Sequence, residues 1–464
     1  MKNALICFLL AVLTALLFIL GREESPQPPV PVRHPELVRL FDKAEQNPAL
    51  SGTVIGFCLL NAEGKTVFER QSEKAFIPAS TLKTVTTATA LEKWGPDYRI
   101  QTHIKSTARM TDGLIQGDVM IEGGADPMLS LEDLKSWVQT LLDKGLKRIT
   151  GDIIGDGRLL AGSLYDDFWN WGDIGNGYGS GVAGLNLEHN RFTASFQSGS
   201  QEGAKAVFLG ALPEVPSVRW VNEVTTGAAD TGDGVVIYGG ERTGVIHLRG
   251  TVPLGAGDFA VTGAVPDPER YAAHHLRRLL LEAGIVVEGA VMTAAANDVP
   301  EAAEVLITHE SPPLLEIITS IHASSDNHET ECLYRLLGIV GKKAPDEVVR
   351  EHWSNRGLIF EGLRMEDGCG LARADFIRPL DLARLQHVVG AGPHGKAYRA
   401  SLSATEDGTL RWKGGAMSGV RSYTGFVKGA SGEEFSFAVM LNHFSDAQAV
   451  TTLRDELILL LRQL

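Results

Sequence analysis

The chain predicts an α+β fold: an antiparallel sheet flanked by helices, with a β-rich insertion. Three observations predict it. Both ends of the chain combine an amphipathic helix with a strand–turn–strand pattern. Residues 99–300 change texture, becoming rich in Gly, Thr and short β-like runs. A length of 464 residues exceeds what one core organises, so two or three domains are expected.

Taken in order, Lys2 precedes an almost unbroken apolar run over 4–20, followed by Gly21, Arg22, Glu23 and Glu24. This is an export segment. Residues 1–21 read equally as a cleaved signal peptide or as an uncleaved membrane anchor, since the run is short for a span and lacks a clear small-x-small cleavage site. Either reading places the body outside the cytoplasm, periplasmic, secreted or tethered. Prolines at 26, 28, 29, 31 and 35 make residues 22–36 a Pro-rich tether. A helix over 35–45, a hairpin of 52–60 with 65–70 turning at 61–64, and a helix over 78–91 follow.

In the middle, residues 153–154, 234–238 and 244–248 read as strands. Ser130 caps a helix whose apolar side carries Leu131, Leu134, Trp137, Val138, Leu141 and Leu142, ending at Gly145. Asp267 and Pro268 start a second, which runs to Gly284. Near the C-terminus 419–427 and 435–441 form a hairpin across 429–432, and 446–464 is a closing amphipathic helix. Residues 37–98 and 301–464 are therefore expected to share one discontinuous domain, with 99–300 inserted as one or two domains.

Composition narrows the function. Hydrophobic content of 44% and charged content of 22% are those of a globular soluble body. A formal charge of −14 argues against a nucleic-acid partner and gives no attraction to anionic lipid, leaving the N-terminal segment as the only route to a membrane. Cys7 lies in the apolar run; Cys58, Cys332 and Cys369 are an odd number, so no disulfide framework is indicated, and a Cys332–Cys369 bridge stays open. His274 and His275 are adjacent and His322 and His328 lack an HExxH pattern, so neither a metal nor another cofactor is implied.

The chemistry begins at Ser80-Thr81-Leu82-Lys83. On a helix, residues three apart share a face, so the Lys83 amine can take the Ser80 proton, the minimum for a serine nucleophile that works without histidine. Two further elements follow in order: Ser325-Asp326-Asn327 after an apolar helix over 314–321, and Lys413-Gly414-Gly415 opening the strand before the C-terminal hairpin. A serine–lysine motif, then SDN, then a Lys-x-Gly strand is the ordered set of penicillin-binding proteins and serine β-lactamases.

On these motifs the chain resembles the low-molecular-mass penicillin-binding proteins of the D-alanyl-D-alanine carboxypeptidase/endopeptidase family, which carry a long insertion after the SxxK motif. The Ser80 to Ser325 separation fits that insertion and is far longer than in β-lactamases. Stretches at 124–129 (GADPML), 151–157 (GDIIGDG), 185–190 (LNLEHN), 311–314 (SPPL) and 367–373 (DGCGLAR) are similar too, and the likeness runs from residue 37 to the end. The resemblance implies a penicillin-binding/β-lactamase-like transpeptidase domain acting on peptidoglycan stem peptides and acylated by β-lactam antibiotics. By the same resemblance Ser80 attacks the carbonyl between two D-alanines and Lys83 is the base, held neutral by burial and by the like charge of Lys413. Ser325 relays a proton, Asn327 holds Lys83 and the substrate amide, and Lys413 receives the terminal carboxylate. The backbone N–H groups of Ser80 and Ala416 form the oxyanion hole. Asp173, Tyr178, Arg373, Gly415 and Met417 fall where family members bind the stem peptide.

Two departures stand out. Gly414 replaces the usual threonine, whose hydroxyl would bond the substrate carboxylate, and Cys369 and Ala372 replace serines, which is expected to reshape the pocket floor. Two other readings are a weakly active or inactive penicillin-binding-fold module that grips peptidoglycan, and a β-lactamase or esterase on the same scaffold.

Overall fold

The computed structural model describes residues 34–294 and 301–464. The expected export segment 1–21, tether residues 22–33 and residues 295–300 lie outside the described residues.

Both chain ends build one six-stranded antiparallel sheet, in the order Ser403–Ala404, Leu410–Met417, Val420–Lys428, Glu434–Asn442, Val54–Leu60 and Thr66–Arg70. Val54–Leu60 is apolar throughout because both of its faces are covered. With the period of two of a strand, Phe57 and Leu59 face one cluster while Cys58 and Leu60 face another. The first cluster holds Leu37 and Phe41 of Pro35–Gln46 and Leu453, Leu457 and Leu461 of Ala447–Gln463, so the two terminal helices close that face. The second packs Leu82, Val85, Leu91, Ile317, Ile321 and Trp353.

Both expected hairpins form. Gly64 (φ 75°) donates to the Asn61 carbonyl at 2.9 Å in the first, and Gly429 donates to the Glu433 carbonyl at 2.9 Å in the second. Asp446 caps the closing helix by accepting the Ala449 N–H at 2.9 Å.

The insertion has its own apolar cluster, running from Ile104 to Leu306. Its five-stranded sheet is ordered Val291–Thr293, Ile153–Asp156, Val119–Glu122, Gln101–Ser106 and Glu304–Glu310. Here the strand pairing departs from the expected boundary at 300/301. Glu304–Glu310 belongs to the insertion's sheet, hydrogen-bonded antiparallel to Gln101–Ser106. A local pattern cannot reveal a partner so distant in the chain. The return comes at Ser311, whose N–H donates to the Ile100 carbonyl (2.8 Å) and whose Oγ accepts the Ile100 N–H (2.9 Å), so the two crossings are clamped together.

The two helices expected in the middle form as Leu131–Asp143 and Pro268–Glu282. Ser130 and Asp133 make a reciprocal capping box on the first. Cys58, Cys332 and Cys369 are all free thiols and all buried, so the open Cys332–Cys369 pairing is not made. Burial pushes the Cys58 thiol up to about 12.

Ser130→Ala is expected to cost about 1 kcal/mol by removing a cap. Thermal denaturation should show a lower Tm, and an unchanged Tm would mean that the box contributes nothing.

Candidate active site

The apolar segment after the first hairpin enters the core by pairing Phe76 with Ile377. Ala79 then adopts φ 48°, a left-handed conformation costly for a residue with a Cβ. The expected helix over 78–91 forms as a 3-10 turn, Ala79–Leu82, continuing into the α-helix Lys83–Trp94. Side chains three apart eclipse in a 3-10 turn, which brings Ser80 and Lys83 together. Lys83 Nζ lies 3.0 Å from Ser80 Oγ.

Lys83 is fully buried (0% exposed). Its Nζ also meets Asn327 Oδ1 at 2.6 Å and the Cys369 carbonyl at 2.7 Å. Burial pushes the amine's pKa down, while Cys369, Asp367, Asp326 and Glu331 pull it back up. Burial, rather than the expected like charge of Lys413, is the main effect on Lys83, and the repulsion between the two amines is felt in the lowering of Lys413.

The SDN motif sits in the joint between two helices. Leu314–Ser324 ends at Ser325, which takes the left-handed conformation (φ 61°) as its N–H bonds the Ile321 carbonyl at 2.9 Å. Asp326 then caps Asn327–Gly341 by accepting the Glu329 N–H at 2.9 Å. Its other oxygen receives Arg191 Nη1 from the insertion at 2.6 Å. Burial opposes ionisation of Asp326, but Arg191 overrides it and holds the carboxyl well below its usual range.

Lys413 does not open its strand, as expected from the sequence, but lies inside Leu410–Met417. Its Nζ donates to Ser325 Oγ and to the Gly414 carbonyl, both at 2.8 Å. Burial first, then the charge of Lys83, pushes its pKa down to about 7. A Cβ at Gly415 would stand 2.5 Å from Ser422 Oγ, 2.8 Å from the Ser80 nitrogen and 2.9 Å from the Pro78 carbonyl. Glycine there is what lets the strand lie against the nucleophile's backbone. A Cβ at Gly414 would meet only the Tyr423 ring, at 3.3 Å, so that position has room for a side chain.

A cleft of about 360 Å³ runs between these elements. Of the expected site residues, Ser80, Asp173, Tyr178, Ser325, Asn327, Arg373, Ala416 and Met417 line it. Lys83 and Lys413 lie buried behind Ser80 and Ser325, and Gly415 packs on the nucleophile rather than lining the cleft. Asp173 accepts Tyr178 Oη at 3.0 Å and Asn170 Nδ2 at 2.8 Å. Burial and Asp173 together push the Tyr178 phenol up to about 12. Arg373 donates to the Ser418 carbonyl at 3.2 Å. Asn327 Nδ2 is taken by the Tyr178 carbonyl at 2.8 Å.

Sequence reasoning missed Asn170 in the lining and the Cys369 carbonyl on Lys83, and it met Gly370 and Leu371 only as part of the similar stretch 367–373. The usable signal was local: an Asp followed by small residues (367–370) reads as a curled turn. Cys369 and Ala372 do not form the pocket floor. Their side chains are buried against Leu164, Tyr165, Trp169 and Ala183 of the insertion.

Among the described residues, two groups of side chains are close enough to suggest a cation: His189, Asp326 and Glu329, and Glu331, Asp367 and Cys369. Their oxygens are largely committed already, Asp326 to Arg191, Glu331 to Arg335 and Asp367 to backbone N–H groups.

Among known proteins, a D-alanyl-D-alanine carboxypeptidase of an Actinomadura species is 29% identical over 443 residues, covering 88% of this chain and 81% of its own. The D-alanyl-D-alanine carboxypeptidase DacB of Haemophilus influenzae is 24% identical, covering 85% of this chain and 86% of its own. The crystal structure of penicillin-binding protein 4 from Haemophilus influenzae has the same fold, with a TM-score of 0.81 at 20% identity over 91% of this chain and 99% of that one. The same protein in complex with a β-lactam gives a TM-score of 0.73 over 91% and 97%. The profile of the D-Ala-D-Ala carboxypeptidase 3 (S13) family matches residues 37–464, and with a lysine-paired serine in its cleft the chain belongs to that family of serine peptidases.

Proposed function

We propose that this protein is an extracytoplasmic serine D-Ala-D-Ala carboxypeptidase that cleaves peptidoglycan stem peptides through a Ser80 acyl-enzyme, with β-lactams as covalent inhibitors. One observation carries the reading. Of the three groups on Lys83 Nζ, the Asn327 and Cys369 oxygens only accept, so a neutral amine gives them its two N–H bonds and turns its lone pair to the Ser80 hydroxyl. That arrangement takes up the serine's proton as Oγ bonds the carbonyl carbon between the two D-alanines.

The remaining roles follow from position. The backbone N–H groups of Ser80 and Ala416 stabilise the oxyanion. Ser325, bonded to Lys413, relays the proton that Lys83 took from Ser80 to the departing D-alanine amine as the C–N bond breaks. Water then hydrolyses the ester. Lys413 attracts the terminal carboxylate, and Asp173, with Tyr178, Arg373 and Met417 around it, receives a cationic stem side chain. Residues 37–98 and 311–464 form the catalytic domain and the intervening segment the insertion. The apolar run at 4–20 supports delivery to the periplasm, as a signal peptide or an anchor.

A fluorescent penicillin is expected to label the protein covalently, and Ser80→Ala to abolish labelling; an unlabelled wild type would remove the nucleophile. Release of D-alanine from a pentapeptide, against cleavage of cross-linked dimers, separates carboxypeptidase from endopeptidase action.

Gly414 favours a second reading, a stem-peptide binder of low turnover, since the missing hydroxyl bond to a carboxylate is worth about 1.5–3 kcal/mol. Gly414→Thr, with Tyr423 yielding a few tenths of an ångström, is expected to raise the acylation rate several-fold. No gain would mean that another group already serves the carboxylate.

Lys413 sets a pH dependence. Its lowered pKa means that it is charged below about 7 and loses its charge as pH rises through that value. KM for a peptide with a free C-terminal carboxylate should therefore rise above neutral pH. A flat KM across that range would show that Lys413 does not hold the carboxylate.

A further inference from the structure

We propose that Asp367 is a positioning residue for this site: its carboxylate fixes where the Cys369 carbonyl meets Lys83 and ties that carbonyl to the cleft wall supplied by the insertion. The proposal rests on Ser80 and Lys83 being nucleophile and base.

Asp367 is fully buried (0% exposed). One oxygen accepts the N–H groups of Cys369 (2.9 Å) and Gly370 (2.5 Å), and the other those of Leu371 (3.0 Å) and Ala372 (2.8 Å). Trp169 Nε1, from the insertion, donates to the second oxygen at 2.8 Å. Four consecutive amides converging on one carboxylate curl the chain around it and fix the peptide planes on either side. One of the carbonyls so aimed is that of Cys369, 2.7 Å from Lys83 Nζ. The curl is also pressed against the nucleophile: a Cβ at Gly370 (φ 79°) would fall 2.0 Å from the Ala79 carbonyl oxygen.

The link to the substrate runs through Trp169. It is buried (5% exposed) against Leu371 and Ala372, and it directly precedes the stretch in which Asn170 and Asp173 line the cleft. Asp367 thus holds the lysine's acceptor with one set of donors and the stem-peptide wall with another.

The charges around it set the sign of the test. Lys83 faces Asp367, Asp326 (paired with Arg191) and Glu331 (paired with Arg335), and Lys413 lies beyond Ser325. Asp367 in turn faces Glu331, Asp166 and Asp375, the last pushed well up by burial and by Asp367. Neutralising Asp367 removes a negative charge that favours the protonated amine and loosens the Cys369 carbonyl. Both changes lower the proton affinity of Lys83.

The experiment is the pH profile of acylation by a chromogenic penicillin, with wild type and Asp367→Asn as full chains. The acid limb of the variant is expected to move down by about one pH unit, with a lower plateau. A lower plateau on an unmoved limb would overturn the proposal, because a carboxylate needed only for folding changes amplitude alone. Should Asp367→Asn not fold, Trp169→Phe decides. It keeps an aromatic ring and removes the N–H, and it should raise KM for a stem peptide more than it lowers kcat; an unchanged KM would sink the idea. A wild type that penicillin does not acylate would instead defeat the underlying reading of Ser80.

Discussion

The site depends on one buried amine. Enclosing Lys83 with no solvent exposure carries a desolvation cost of several kcal/mol for an ammonium, and the chain meets it with acceptors rather than with a single counter-ion in contact. Those acceptors come from three places far apart in the sequence: Ser80 on the same turn, Asn327 at a helix start and Cys369 in a curled loop. Each must be held from behind. Asp326 caps the helix that presents Asn327, and Asp367 gathers the loop that presents Cys369. Displacing Asn327 or Cys369 leaves an N–H unpaired in a dry site, which makes the geometry cooperative.

The insertion is part of this arrangement although its apolar core is separate. It reaches the motifs at three points: Arg191 on Asp326, Trp169 on Asp367, and the Tyr178 carbonyl on Asn327. The first two place charge-assisted bonds on buried carboxylates, and the third takes the free amide of the residue that holds Lys83. Cys369 and Ala372, small and apolar where serines were expected, suit the packed seam they form with Leu164, Tyr165 and Trp169. Polar hydroxyls there would need partners that this seam does not supply.

Two lysines lie buried behind the cleft, and their partners differ. Lys83 meets the Ser80 hydroxyl and two oxygens that only accept, while Lys413 bonds the Ser325 hydroxyl and its neighbour's carbonyl. Burial pushes both pKa values down, and the charge of Lys83 adds to the lowering of Lys413, to about 7. An anionic ligand arriving near Lys413 restores its proton by opposite charge, so binding and ionisation reinforce each other.

The motifs, their order and the elements that carry them were legible in the sequence, because each depends on local periodicity or on a cap: the Ser80–Lys83 turn, the helix cap at Ser130, both hairpins and the closing helix. Only the tertiary structure decided the partner of Glu304–Glu310, which pairs with Gln101–Ser106 across a long separation in the chain. It also decided that burial is the main cause lowering both lysines, that Gly415 is a spacer, and that a main-chain carbonyl completes the lysine's shell. The physical reason is the same in each case. Strand pairing across long separations, desolvation and backbone acceptors are properties of neighbours in space, and a backbone carbonyl has no side-chain signature to read in advance.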